Sequence, residues 1–320
     1  MTMAKTIRIQ EIGAPSVMHA VDAMIGDPGS GEVRLLQDFV GVNYVDTMVR
    51  DGRFPMSLPT IPGFEGAGII DKVGGDVRHY AAGDRVGYFF SAGGYASERL
   101  ISADALIRLP ADISTEQAAT FLAKGLTAWM ALFALHSLQP GETVLVQGAS
   151  GSVGTILSRW AKALGATVIG IAGSVDKLAL VASGADHAFH AADPVWPEKV
   201  RGLTPRGVDV VYDLVGKATA AQSAFVLRDG GTFVGIGAVT GQPDYDPAIL
   251  ADRRIAVKGG GTPQYVNADT VDEASSALFA AIRKGLFADL PVVRYPLADA
   301  QTVHQDILSR RLAGLPVMVT

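Results

Sequence analysis

The fold is decided by the stretch Val144-Leu145-Val146-Gln147-Gly148-Ala149-Ser150-Gly151-Ser152-Val153-Gly154. Its first part, Thr143–Gln147, is a short apolar run of the kind a buried strand uses. The segment after the glycines has helical spacing. Val153, Ile156, Leu157, Trp160, Ala161 and Leu164 recur at i, i+3, i+4, i+7, i+8 and i+11, and Gly165 supplies the C-terminal cap. Between strand and helix, Ala149-x-Gly151-x-x-Gly154 matches the glycine logic of a dinucleotide site. Gly151 lets the backbone approach a pyrophosphate, and Gly154 lets the helix pack on the strand. The anion would rest on the helix N-terminus, with Gly148, Ala149, Ser150, Ser152 and Val153 around it. An ordinary strand-to-helix turn uses the same residues, so the triplet takes its meaning from the elements that flank it.

Working outward, strand, turn and helix alternate from Glu142 onward, with strands expected at Thr167–Ala172, Val208–Asp213, Thr232–Ile236 and Ile255–Lys258. Alternation of this kind builds a parallel sheet. Upstream, Glu32–Val42, Gly66–Val73, Arg85–Phe89 and Tyr95–Ile101 read as strands of an all-β, barrel-like unit. Ser114-Thr115-Glu116-Gln117 is a capping box that opens a helix running through Leu126, Trp129, Met130 and Phe133. Two more helices are expected at Asp272–Lys284 and Asp299–Ser309. The apolar tail Pro316–Val319 is expected to return to the first domain, and Gly259-Gly260-Gly261 is the expected hinge.

At 320 residues the chain has room for two domains. A hydrophobic share of 48% against 18% charged residues excludes a disordered or fibrous chain. The absence of Cys removes disulfides, thiolate zinc, iron–sulfur clusters and cysteine nucleophiles together. A formal charge of −5 disfavours nucleic acid and anionic membrane as general partners. The N-terminus carries Lys5 and Arg8 before any apolar core of a signal could build up, and Gly125–Gly141 is too short and broken to span a bilayer. A cytoplasmic location is therefore expected. His19, His79, His136 and His304 show no metal spacing, His187 and His190 read as surface residues at strand ends, and no Gly-x-Ser-x-Gly elbow occurs.

A site selective for NAD places an acid about 20 residues beyond the glycine loop, to bind the ribose 2′-hydroxyl. Here that region is Ile169-Gly170-Ile171-Ala172-Gly173-Ser174, with Asp176 and Lys177 just beyond it. A hydroxyl and a cation suit a 2′-phosphate, which a carboxylate would repel. NADP(H) is expected over NAD(H), with Gly173, Ser174 and Lys177 at the phosphate; the alternative for Lys177 is a solvated helix residue.

With those residues in hand, the chain resembles the quinone oxidoreductases of the zinc-free medium-chain dehydrogenase/reductase superfamily, a group that includes the zeta-crystallin-like proteins. The resemblance runs nearly end to end. It is carried by Gly41-Val42-Asn43-Tyr44-Val45-Asp46-Thr47, Pro62-Gly63-Phe64-Glu65-Gly66-Ala67-Gly68, Gly83-Asp84-Arg85-Val86, Lys124-Gly125-Leu126-Thr127, the nucleotide loop, Gly173-Ser174-x-x-Lys177, and Val208–Asp213 with Gly216. It implies an α/β chain in which a Rossmann domain, a doubly wound parallel sheet over 125–260, is inserted into a GroES-like β-barrel catalytic domain of 1–124 and 261–320. It also implies an active site in the cleft and a homodimer paired through the edge strand Ile255–Lys258.

In zinc-dependent relatives of that superfamily, the positions of Asn43 and Phe64 carry Cys and His ligands. Phe has no donor atom and Asn is a poor zinc ligand, so no metal is expected. Without one, the acceptors that remain are electron-poor: quinones and enones, reduced by direct hydride transfer. By resemblance, Asn43 donates to the oxygen that gains charge, although a purely structural turn amide is the alternative. Asp46 and Arg50 shape the pocket, or Asp46 pairs with Arg50 or Lys124 at the domain interface. Lys124 and Thr127 lie near the nicotinamide, and Gly235-Ile236-Gly237 passes its carboxamide. The pocket is lined by Tyr44, Met48, Phe54 and Phe64.

Three departures matter. Two tyrosines common in such pockets are here Met48 and Phe54, which makes the pocket more apolar. The tyrosine that packs near the adenosine phosphate falls near Ala191, and Arg310, or equally Arg311, would compensate. The expectation is an NADPH-dependent, zinc-independent quinone or enone reductase. The alternatives are a 2-alkenal or enoyl-thioester reductase, and a non-catalytic NADPH- and RNA-binding protein.

Overall fold

The computed structural model describes residues 2–312 and 314–320. The chain forms two compact units, one of residues 1–124 and 290–320, the other of residues 125–289.

The second unit holds a six-stranded parallel sheet in the spatial order His187–His190, Thr167–Ala172, Thr143–Gln147, Val208–Asp213, Leu227–Gly235, Ala256–Gly259. Numbered within the unit this is 3-2-1-4-5-6, the doubly wound order whose switch point lies between the first and fourth strands. Strand order reverses between Gln147 and Asp213, so the carboxyl-terminal ends of those two strands open the crevice in which such sheets take ligands. The core is apolar because these strands are covered on both faces: Leu145, Ile169, Ile171, Val208, Val211 and Phe233 are buried together with Trp196, Val200 and Leu227.

The helix Ser152–Ala163 buries Ile156, Leu157, Trp160 and Ala161, the stripe that its spacing predicts. It ends as expected, with Gly165 in the left-handed region at φ +91° and its N–H bonded to the Lys162 carbonyl.

The first unit is built on Glu32–Gly41, which pairs antiparallel with Glu65–Val73, Glu98–Ser102 and Leu315–Val319. Arg85–Phe89 continues the sheet to Leu106–Arg108, and Val292–Pro296 runs parallel to the C-terminal strand. The apolar tail thus returns to the first unit, as its composition predicts. A hairpin of Thr2–Ile9 and Met18–Ile25 completes the unit. Ser114 N–H donates to Gln117 Oε1 at 2.9 Å and Gln117 N–H to Ser114 Oγ at 3.0 Å, so the capping box opens the helix Thr115–Trp129 as expected.

Three expectations differ from the structure. The return to the first unit comes at Leu290, not at 261, so Val271–Arg283 belongs to the second unit. That helix buries Ala274, Leu278, Phe279 and Ala281. A Cβ at Gly125 would collide with the Leu278 side chain, and Arg159 holds Asp289 at 2.7 Å. Gly259-Gly260-Gly261 therefore lies inside a compact unit and not at its boundary. Residues 95–97 are not in the strand, which runs Glu98–Ser102; Gly93 at φ +93° turns the backbone just before, and Tyr95 N–H bonds the Pro62 carbonyl across the turn. The helical stretch Thr115–Leu135 is by length and composition able to cross a membrane, but 78% of its apolar window is buried inside the protein, as a core helix requires.

Candidate functional site

At the switch point, Gly148 takes φ +73°, and Ala149 N–H bonds the Ile171 carbonyl of the neighbouring strand at 3.1 Å. The two key glycines of the loop are required for different reasons. A Cβ on Gly154 would sit well inside van der Waals distance of the Gly148 carbonyl oxygen, so that glycine is demanded by the protein itself. A Cβ on Gly151 would meet only the same oxygen, at 3.3 Å, and the residue is exposed. Packing there is tight but asks for a shift of only a few tenths of an ångström, and a flat backbone facing outward is what a pyrophosphate needs. Helix geometry leaves the N–H groups of Ser152, Val153 and Gly154 without intrahelical acceptors, while Thr155 N–H already closes on Gly151. These features fit a dinucleotide.

Opposite, the carboxylate of buried Asp213 ties down the loop after its strand. It accepts from Val215 N–H at 2.8 Å, Gly216 N–H at 2.9 Å, Thr219 Oγ1 at 2.8 Å and Ser223 Oγ at 3.1 Å. Gly237 packs against Leu214 so closely that a Cβ would overlap its carbonyl, whereas Gly235 has ordinary space; Ile236 N–H bonds the Asp213 carbonyl at 2.9 Å. Gly173 lies just past the second strand, and no atom of the described residues comes near its absent Cβ. The Ser174 hydroxyl binds the Asp176 carboxylate and lowers its pKa, and Lys177 closes the turn Val175–Lys177 half-exposed. Thr127 Oγ1 lies 2.8 Å from Thr262 Oγ1. Arg310 is exposed and left-handed at φ +57°, where Arg310 N–H to Ile307 and Arg311 N–H to Asp306 close a Schellman motif on the helix Ala300–Leu308.

In the first unit, Asn43 precedes the short helix Tyr44–Arg50 and is gripped twice. Its backbone N–H donates to Asp46 Oδ2 at 2.8 Å, and its side-chain Nδ2 donates to Glu65 Oε2 at 2.9 Å. Glu65 is fully buried and accepts also from Lys124 Nζ at 2.8 Å and from Ala123 N–H at 2.7 Å. Gly41 is glycine because a Cβ there would overlap this carboxylate. One N–H of the half-buried Asn43 amide is thereby fixed by Glu65, which sets the plane in which the other projects.

Three expected roles change here. Lys124 is 1% exposed and spends its charge on Glu65, so it supports Asn43 and does not line an open pocket. Arg50 is 2% exposed and its guanidinium donates to the Gly13 carbonyl, so it too faces inward. Asp46 pairs with neither. Its Oδ2 instead accepts from Tyr95 Oη at 3.0 Å, and Tyr95 Oη lies 2.9 Å from His304 Nε2. Burial pushes the Asp46 carboxyl up to about 7, and burial pushes His304 down to about 3. Burial, then the neighbouring Asp46, raises the Tyr95 hydroxyl well above its ordinary value. Sequence reading missed Glu65, Tyr95 and His304 as a group, although Glu65 stands inside a quoted motif.

Of the pocket residues, Tyr44 and Phe54 are linked by Arg53, which donates to Tyr44 Oη at 3.0 Å, lies over its ring at 5.4 Å, and is anchored by Asp51. Phe54 N–H bonds the Met48 carbonyl at 2.9 Å. The Phe64 ring stacks on Phe90 with centroids 5.2 Å apart and meets the edge of Phe54 at 5.7 Å. Phe90 carried no expectation. Asn43 and Phe64 thus supply an amide and a hydrocarbon ring where a metal would need donors. Among the described residues no three of His, Cys, Asp and Glu come together as a metal group.

Family models match both parts of the chain: "Alcohol dehydrogenase GroES-like domain" over residues 29–111 and "Zinc-binding dehydrogenase" over residues 152–278. Quinone oxidoreductase 1 of Escherichia coli is 37% identical over 99% of this chain and 100% of its own length. The chain belongs to the quinone oxidoreductase family. A family relative from Burkholderia, a 2-haloacrylate reductase, is 33% identical with 97% of each chain covered. The crystal structure of an Escherichia coli quinone oxidoreductase complexed with NADPH superposes with a TM-score of 0.94 at 35% identity, covering 99% of this chain and 100% of that one. The GroES-like unit joined to a Rossmann sheet, expected from the motifs, is the architecture of the family.

Proposed function

We propose that this protein is an NADPH-dependent, zinc-independent reductase of quinones and enones that works by direct hydride transfer. The observation that carries the reading is the Asn43 side-chain amide, held by a buried carboxylate at a position where the resemblance puts a metal ligand in zinc-dependent relatives, within a chain whose glycine loop suits a dinucleotide. NADPH supplies the hydride; Gly151 and the first turn of Ser152–Ala163 bind its pyrophosphate, and Ser174 and Lys177 bind its 2′-phosphate. Gly235, Ile236, Gly237 and Thr127 hold the nicotinamide end. Asn43 donates its free N–H to the acceptor oxygen as that oxygen gains charge, a contribution of about 100-fold or more for one such donor. Glu65 and Lys124 keep the amide from turning. Tyr44, Met48 and Phe54 exclude water and hold the acceptor flat, with the buried Phe64 beneath them.

The NADPH complex and the two named relatives support both halves of this reading, the cofactor and an acceptor with a conjugated double bond. The same reading places the protein in the cytoplasm as a homodimer. Its supporting feature is the edge strand Ala256–Gly259, exposed along its whole length. The experiment is a set of initial rates of NADPH and NADH oxidation, after dialysis against a chelator, with a naphthoquinone and a panel of cyclic and linear enones. Turnover that survives chelation and favours NADPH is the expected result. Turnover that disappears with the metal and returns with zinc would overturn the reading.

A further inference from the structure

Phe90 is a bulky residue at φ +54°, a backbone conformation that costs any side chain with a Cβ, and it is 44% exposed. Strain of this kind persists only where neighbours fix it. Here the fixing group is Arg99, whose guanidinium bonds the carbonyls of Ser91 and Ala92 and the Ser91 hydroxyl while lying over the Tyr88 ring at 4.8 Å. The turn after Arg85–Phe89 is thereby held so that the ring of Phe90 lies on the ring of Phe64, at 5.2 Å and 24° between planes. Phe54 closes the group edge-on, 6.4 Å from Phe90 and 5.7 Å from Phe64. Phe64 is 5% exposed, so Phe90 is the member of the stack with surface to offer.

The group is also tied to Asn43. Phe64 is the residue before Glu65, whose carboxylate holds the Asn43 amide, and Phe54 sits on the turn that ends the helix Asn43 begins.

We infer that Phe90, stacked on Phe64 and edged by Phe54, is a stacking shelf that selects planar, electron-poor fused-ring quinones over aliphatic enones. The inference rests on the reductase reading and refines its substrate class. An aromatic face carries negative charge density, and a quinone ring depleted by two carbonyls presents the complementary face, so the two stack with more than their shared area. A linear or aliphatic cyclic enone gains only the area. Bearing this ring at a left-handed position sacrifices stability, which is the trade a binding site makes and a packing site does not.

The test compares Phe90→Asn, which suits the left-handed backbone and removes the ring, with Phe90→Tyr, which keeps it. For each, kcat/KM is measured with 1,4-naphthoquinone and with 3-penten-2-one. Phe90→Asn is expected to lower the naphthoquinone-to-pentenone ratio about tenfold, mostly through the naphthoquinone KM, and Phe90→Tyr to restore it to within about twofold. Phe90→Asn is also expected to melt no lower than the parent. An equal loss for both acceptors, or an unchanged ratio, overturns the shelf. Calorimetric binding of 1,4-naphthoquinone to each variant without NADPH separates the two claims. If the parent turns over neither acceptor but binds naphthoquinone more tightly than Phe90→Asn does, the reductase reading fails and the shelf stands. If the two bind it alike, the shelf fails.

Discussion

Replacing Asp46 by Asn should change stability in a way that grows with pH. Asp46 is fully buried, its Oδ2 accepts from Asn43 N–H and Tyr95 Oη, and its Oδ1 has no hydrogen-bond partner among the described residues. Burial raises its carboxyl from 3.8 to about 7. Because the folded value is raised, the folded state holds the proton more tightly than the unfolded chain. Stability is therefore fully present below pH 3.8 and is lost as pH rises toward 7. Three pKa units at about 1.4 kcal/mol each amount to about 4 kcal/mol by pH 8. Asn keeps the accepting oxygen and removes the ionisation.

The gap between Asp46→Asn and the parent should accordingly move in the variant's favour by about 3 kcal/mol between pH 5 and pH 8. His304, pushed down to about 3 by burial, contributes the opposite trend, losing stability as pH falls below 6.5, but it does so in both proteins and cancels from the difference. Differential scanning calorimetry is the assay, because all three tryptophans, Trp129, Trp160 and Trp196, lie in the second unit and would not report on the first. A difference between the two proteins that is the same at pH 5 and pH 8 would refute a raised Asp46.

Three further outcomes rest on the same kinds of contact. Gly154→Ala should cost several kcal/mol or prevent folding, because its Cβ would overlap the Gly148 carbonyl, whereas Gly151→Ala, whose Cβ meets the same oxygen at 3.3 Å, should fold with a much smaller loss of stability and lose NADPH affinity; thermal melts and calorimetric titration separate the two. Lys177→Ala should weaken NADPH use far more than NADH use in steady-state rates, and equal losses would remove the 2′-phosphate role. Glu65→Gln leaves Lys124 buried and unpaired and should cost about 3–5 kcal/mol, while Glu65→Gln combined with Lys124→Met should recover much of the stability without recovering kcat. Recovery of both would show that Glu65 holds the fold and not Asn43.

Legibility in the sequence divides by the range of the contact. The parallel sheet, the helix Ser152–Ala163 with its Gly165 cap and the Ser114–Gln117 box are local patterns of spacing and turn chemistry, and each appears where those patterns place it. The boundary at Leu290 was not legible, because it depends on where Val271–Arg283 buries its apolar face, a contact with Gly125 about 150 residues away in the chain.

The same holds at the site. Asn43 and the glycine loop could be read from motifs, but Asn43 meets Glu65 across 22 residues, Glu65 meets Lys124 across 59, and Tyr95 meets His304 across 209. No local periodicity encodes such pairings. Arg50 and Lys124 are expected at the pocket because one shares the segment of Asn43 and the other opens the motif Lys124-Gly125-Leu126-Thr127; their burial is a tertiary fact. Phe90 was invisible for another reason, since left-handed backbone is signalled in sequence by Gly or Asn and here is imposed on Phe by Arg99.

The central claim is that the Asn43 amide stabilises the charge an acceptor oxygen gains from NADPH. Its most direct measurement is kcat/KM with 1,4-naphthoquinone for the parent and Asn43→Ala, in chelator, with the NADPH dissociation constant determined for both. The account predicts a fall of about 100-fold or more in kcat/KM with NADPH binding unchanged. Equal activity in the two proteins would contradict it.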